Sequence, residues 1–156
     1  GTVDIGHRHE AQPLRHRLIR LRAEHPVFRL QKFLKGEAGE GGALPDSWWF
    51  RPDGRRMTVN DWHRGDGHAV GLFLNGNQID RRDDRGRGVV DDSFLVLVNA
   101  HYEDVSFTIP ARRFGLRWTL ELDTVDPVAP AGSWTVPTRG SVAMPAHAVT
   151  ILRRQA

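Results

Sequence analysis

Two adjacent pairs of aspartates are the first residues that could do hydrolytic chemistry: Asp83–Asp84 in RRDDRGRG and Asp91–Asp92 in VVDDSF. A glycosidase needs two carboxyl groups facing each other across a cleft, about 5 Å or more apart. Neighbours on an extended chain point to opposite sides, so neither pair converges on one bond. Asp83 and Asp84 read as a solvated loop, Asp91 and Asp92 as the polar start of a strand. The chain has eight histidines: His7, His9, His16, His25, His63, His68, His101 and His147. HRH at 7–9 and HRGDGH at 63–68 are fragments of metal-binding patterns, yet neither is joined by a second pair at zinc spacing. The histidines therefore read as loose surface residues, and neither a metal site nor a cofactor is expected. No Gly-x-Ser-x-Gly elbow and no phosphate loop are present. With no cysteine, thiol catalysis and disulfides are excluded.

The remaining chemistry is aromatic. DSWWFRPDGRRMTVNDW, residues 46–62, holds Trp48, Trp49 and Trp62, three of the chain's five tryptophans. Indole rings can stack on sugars or bases, or simply fill a core. In a strand, side chains alternate between faces, so Trp48 and Trp49 are expected on opposite sides. At most one of them offers an exposed ring, backed by Trp62 or Phe50. Core or interdomain packing and a carbohydrate platform at Trp48, Trp49 and Trp62 both remain open, with Tyr102 and Trp134 as further stacking candidates.

These residues need elements to hold them. In PLRHRLIRLRAEHP, Leu14, Leu18 and Leu21 recur at helical spacing beside Ile19, which predicts one short amphipathic helix with its arginines outward. Pro13 suits the first turn, and Pro26 ends the helix by biasing His25 away from the α region. Residues 1–12 read as a loose leader, and EAGEGGALPD as a loop. From Trp48 onward the pattern changes. SWWF, AVGLFL, SFLVLVNA, VSFTIP, RWTLELD, SWTV, SVAMP and AVTILR are short runs rich in β-branched and aromatic residues, separated by turn signals. Such spacing predicts an all-β antiparallel sandwich or barrel behind one helix. SFLVLVNA is apolar nearly throughout and is expected at the centre, buried on both faces.

With 156 residues the chain is long enough for one domain with its own core. Its 22 basic residues face 19 acidic ones. The sequence pI of about 10.1 reflects arginine's high pKa more than a large excess of charge. A mixed solvated surface is expected rather than a nucleic-acid face. RGRG at 85–88 is one weak copy of an RNA-binding pattern, interrupted by acids. No apolar run is long enough to span a bilayer, and the cysteine-free composition fits a cytoplasmic protein.

Five segments in order, LIRLRAEHPVFRLQKFLKG, PDSWWFRPDGRRMTVNDW, GLFLNG, DDSFLVLVNAHYEDVSFTIP and WTLELDT, resemble the C-terminal part of bacterial glycogen debranching enzymes. These are isoamylase-type members of the α-amylase superfamily. The resemblance covers residues 14 to about 125; Ser47 stands where the family carries an aliphatic residue, and residues 1–12 align with nothing. The resemblance implies that residues 13–35 are the last helix of a (β/α)₈ barrel plus a connector, and 36–156 a C-terminal β-sandwich. It implies hydrolysis of α-1,6 branch linkages in glycogen or limit dextrin by acids at the ends of barrel strands. None of those catalytic positions has a counterpart here, so no catalytic residue is assigned.

The expected role is thus a non-catalytic structural domain whose partner is the missing barrel. The alternative is a stand-alone α-glucan-binding module. Self-association through the N-terminal helix would be a third use of its apolar stripe; neither nucleic acid nor membrane is an expected partner.

Overall fold

The computed structural model describes residues 6–29, 34, 36, 43–63, 68–79 and 81–155, with only the backbone described for 6–12. All eight expected strands form: β1 Ser47–Phe50, β2 Ala69–Leu74, β3 Phe94–Asn99, β4 Val105–Thr108, β5 Arg117–Asp123, β6 Thr135–Pro137, β7 Ser141–Met144 and β8 Ala148–Arg154. Six build an antiparallel sheet in the order β1-β2-β3-β8-β5-β6, and β4 pairs with β7 in a second, two-stranded sheet. The fold is the expected antiparallel β-sandwich, not a closed barrel.

Cross-strand partners share a face, so the register sorts the large sheet into two surfaces. Phe73, Leu95, Leu152 and Leu120 lie in one row. They pack against Phe107, Val142 and Met144 of the small sheet to make the sandwich core. Gly71 lies in this face because a Cβ there would stand 3.1 Å from the Phe107 ring. The next row, Leu72, Val96, Ile151 and Leu122, faces the other way and belongs to a second apolar cluster. β3 is central, as its composition predicts. Leu95 and Leu97 feed the sandwich core and Phe94 the outer cluster, each fully buried.

Leu120 and Leu122 would share a face in a regular strand. A register shift between them puts the first in the sandwich core and the second in the outer cluster. A bulge does this by adding one unpaired residue and re-aiming its neighbour.

Helix α1 (Gly6–Glu24) is longer than the sequence predicts. It begins at Gly6, so residues 6–12 are helical rather than a loose leader, and Pro13 lies inside the helix. A 3-10 turn at Pro26–Phe28 follows. Leu14 and Leu21 of α1, with Val27 and Phe28, cover the outer cluster. Leu18 does not join them; it is exposed, as is Ile19. The place expected for Leu18 is taken by Arg17. Arg17 Nη1 donates to the carbonyls of Pro127 (2.7 Å) and Ala129 (2.6 Å), and Nη2 to that of Glu121 (2.6 Å). Glu121 is the bulged residue of β5, so the bulge frees the carbonyl that Arg17 takes. The expectation that the helix arginines all point outward fails there because three convergent carbonyls outweigh the solvent. A second helix, α2 (Val59–His63), was not anticipated.

Candidate functional site

The three tryptophans of 46–62 are split as strand alternation predicts. Trp48 packs against the sandwich core, with the Arg56 guanidinium 3.9 Å above its ring. Phe50 also points inward and is buried. Trp49 lies in the outer-face row with Leu72 and meets Trp62 of α2 edge to face, centroids 5.4 Å apart and planes at 80°. Trp49 is 40% exposed and Trp62 52%. The expected backing of one exposed ring is therefore Trp62. Trp134 is half-buried against the core, whereas Tyr102 is exposed and stacks on His101 at 4.3 Å.

The chain between Trp49 and Trp62 is shaped by short-range polar chemistry. At Pro52–Gly54 it turns, and Gly54 has φ of +81° with the Thr108 carbonyl 3.0 Å from where a Cβ would stand. Only glycine fits both constraints. Thr58 and Asp61 then cap α2 reciprocally: the Thr58 N–H donates to Asp61 Oδ2 at 2.7 Å, and the Asp61 N–H to Thr58 Oγ1 at 3.3 Å. This orients Trp62, the next residue.

The result is a cleft of about 640 Å³, lined by Arg51, Asp53, Asp61 and Trp62 on one side and by His68, Val70 and Val98 on the other. Arg51 donates to both carboxyl oxygens of Asp53 and lies 3.7 Å from Asp61. The Arg51 hydrogen bond, joined by the Arg55 amide, holds the Asp53 carboxyl below its ordinary range. A general acid needs the opposite shift. Arg51, Asp53 and Asp61 were missed by sequence reasoning, which weighed only adjacent acids; the Thr-x-x-Asp cap beside a Pro-Asp-Gly turn was the available signal.

The aspartates singled out in the sequence behave differently from one another. Asp83 and Asp84 are exposed, as expected of a solvated loop. Asp83 is held ionised by the Arg87 and Arg85 amides and the Arg87 side chain. Asp91 is not a solvated strand start. Its side chain is 7% exposed, and its Oδ1 lies 2.8 Å from His25 Nδ1. The same oxygen accepts the Asp92 N–H at 2.7 Å, and Oδ2 accepts the Val27 N–H at 3.2 Å. His25 is correspondingly buried, against Phe94, so it is not a loose surface histidine. Burial of a charge or ring nitrogen requires such partners. His16, His63, His68 and His147 are exposed and His101 half-buried; the side chains of His7 and His9 lie outside the described residues.

His25, Asp91 and Asp92 present ligand atoms within 4.8 Å of one another. Asp91 already accepts two backbone N–H groups and meets His25 Nδ1, so the trio latches the 3-10 turn to the start of β3.

Residues 46–145 match the family described as isoamylase, C-terminal. The chain belongs to that family. A "Glycogen operon protein GlgX homolog" of Mycobacterium tuberculosis is 44% identical over 135 residues, which is 86% of this chain and 19% of the relative. An "Isoamylase" of Pseudomonas amyloderamosa is 26% identical over 110 residues, 70% of this chain and 12% of the relative. This isoamylase C-terminal domain thus spans less than a fifth of the length of either relative. Among solved structures, pullulanase type I from Bacillus subtilis complexed with maltose aligns with a TM-score of 0.53 at 16% identity. It covers 92% of this chain and 15% of its own; at that identity the likeness is one of fold. The resemblance read from the five segments is the one the family match shows. No helix among the described residues is long and apolar enough to cross a membrane.

Proposed function

We propose that this domain serves a larger debranching enzyme, one that hydrolyses α-1,6 linkages in glycogen or limit dextrin, as a non-catalytic brace for a (β/α)₈ barrel. The observation that carries this is the two-sided character of α1. Its inner side is locked to the β domain by Leu14, Arg17 and Leu21. Its other side presents Leu18 at 42% and Ile19 at 57% exposure, apolar surface that a barrel would cover. The non-catalytic half of the reading is supported by the cleft, whose acids are held by a guanidinium and a helix cap instead of facing each other for acid–base work.

The chain incubated with glycogen or limit dextrin is expected to release no reducing ends above a blank; turnover would overturn the non-catalytic role. The native polypeptide in cell extract is expected to have several times the 17.6 kDa mass of this chain. In that longer polypeptide, Ile19→Asp lowers the unfolding temperature, whereas in this chain alone it leaves it unchanged. An equal effect in both removes the support for a barrel-facing helix.

A further inference from the structure

We propose that the cleft lined by Trp62 and His68 is a surface binding site for a glucan chain, with Trp62, held edge to face by Trp49, as its stacking ring. That the glucan is α-linked rests on the function proposed above; that it is a sugar rests on the cleft itself.

A pyranose presents an apolar face of C–H bonds and a rim of hydroxyls. The cleft offers a match for each. Trp62 lines the cleft, keeps 52% of its surface exposed and is braced edge to face by Trp49. Its ring can take the apolar face. Val70 and Val98 supply an apolar floor. Arg51 and Asp53, hydrogen-bonded to each other at the mouth, remain about a third and a half exposed (32% and 46%). They present a paired donor and acceptor of the kind that suits vicinal hydroxyls. His68 forms the far wall and continues outward through stacked rings: His68 on His101 at 5.1 Å, and His101 on the exposed Tyr102 at 4.3 Å.

The size fits too. Small-molecule sites run to about 300–1,000 Å³, and this cleft holds about 640 Å³. A protein partner fits less well. The centres of protein–protein interfaces are depleted in charge, whereas Arg51, Asp53 and Asp61 meet at one wall. The apolar helix surface at Leu18 and Ile19 lacks this polar wall, which separates the two surfaces by chemistry.

The test uses this chain labelled with ¹⁵N, followed through its indole N–H signals while maltoheptaose or cellohexaose is added. The Trp62 signal is expected to shift and to saturate with a Kd on the order of 1 mM, while that of Trp118, fully buried in the core, stays still. Trp62→Ala is expected to keep the fold, read from an unmoved Trp118 signal, and to raise the Kd at least about tenfold, about 1.4 kcal/mol. Equal binding of both oligosaccharides keeps the sugar site and overturns its α-linked assignment. No shift with either sugar overturns the site, as does a Trp62→Ala variant that binds as well as the parent. Absence of debranching by the chain alone bears on the proposed brace and leaves this site untouched.

Discussion

At one end of the outer sheet face, Phe94 lies fully buried beneath His25 and Phe28. At the other, Val70 and Val98 look into an open cleft flanked by Trp62. Both ends belong to the same six-stranded sheet, and both are apolar. The difference is in what stands above them. Over Phe94 long-range partners match most of the polar groups: His25 and the Val27 amide meet Asp91, and Arg17 meets three carbonyls, while Arg29 Nε beside the 3-10 turn is buried without a hydrogen bond. Over Val98 the polar groups pair with each other at the mouth, and ring faces remain uncovered. A covered end must satisfy most of its hydrogen-bonding groups, because each buried orphan is costly. An open end can leave ring faces and polar edges for something else. The contrast separates residues that hold the fold from residues available for binding.

The sharpest way to break that contrast is Asp91→Ala. It strands the His25 ring and the Val27 amide under α1, and a loss of about 3 kcal/mol is expected, read from urea unfolding of the chain. A loss below about 0.5 kcal/mol would mean that the latch is ornamental. Arg17→Ala comes next. It deserts three carbonyls, one of them at the β5 bulge, and is expected to cost about 2 kcal/mol. Faster amide exchange in α1, with exchange in β3 unchanged, would locate that loss in helix docking.

Acid gives the smallest effect and belongs to the open end. Asp53's carboxyl sits below its unfolded value because of Arg51. Its contribution is therefore complete above pH of about 4, the ordinary carboxylate value, and is lost as pH falls through the lower folded value. The group is largely exposed, so solvent screens the pair and the effect is slight. Asp53→Asn is expected to flatten the stability-versus-pH curve in that acid window only; a change near neutrality would be contrary to the assignment.

The strands were legible because the signals that specify them are local: eight runs of β-branched and aromatic residues between turns, and the opposite facing of Trp48 and Trp49 that follows from pleat alone. The covered end was not. His25 meets Asp91 across 66 residues, and Arg17 meets carbonyls more than 100 residues away. A helical repeat at 14, 18 and 21 shows which residues are apolar, but not that loop carbonyls at Pro127 and Ala129 converge beside the stripe. So Leu18 was expected inside and Arg17 outside, and the structure reverses them. The cleft was half legible. Its tryptophans stood out, while Arg51, Asp53 and Asp61 looked like ordinary turn residues until the fold brought β2 and β3 alongside them.

The segment from Asn77 to Val90 leaves and rejoins the sheet at one point, where the Asp91 N–H donates to the Gly76 carbonyl at 2.9 Å. The two strands of chain press so closely there that a Cβ on Gly76 would stand 2.0 Å from the Asp91 carbonyl oxygen. Further out, Arg82 bridges Gly88 and the tip at Asp83–Gly86 is exposed. The geometry is that of a clasp closed at its base. Whatever is spliced in at the tip begins and ends in nearly the same place, and each doubling of loop length adds only about 0.6 kcal/mol of closure entropy. For protein engineering the exposed tip at Arg85–Gly86 is a natural port for a reporter or a second binding module.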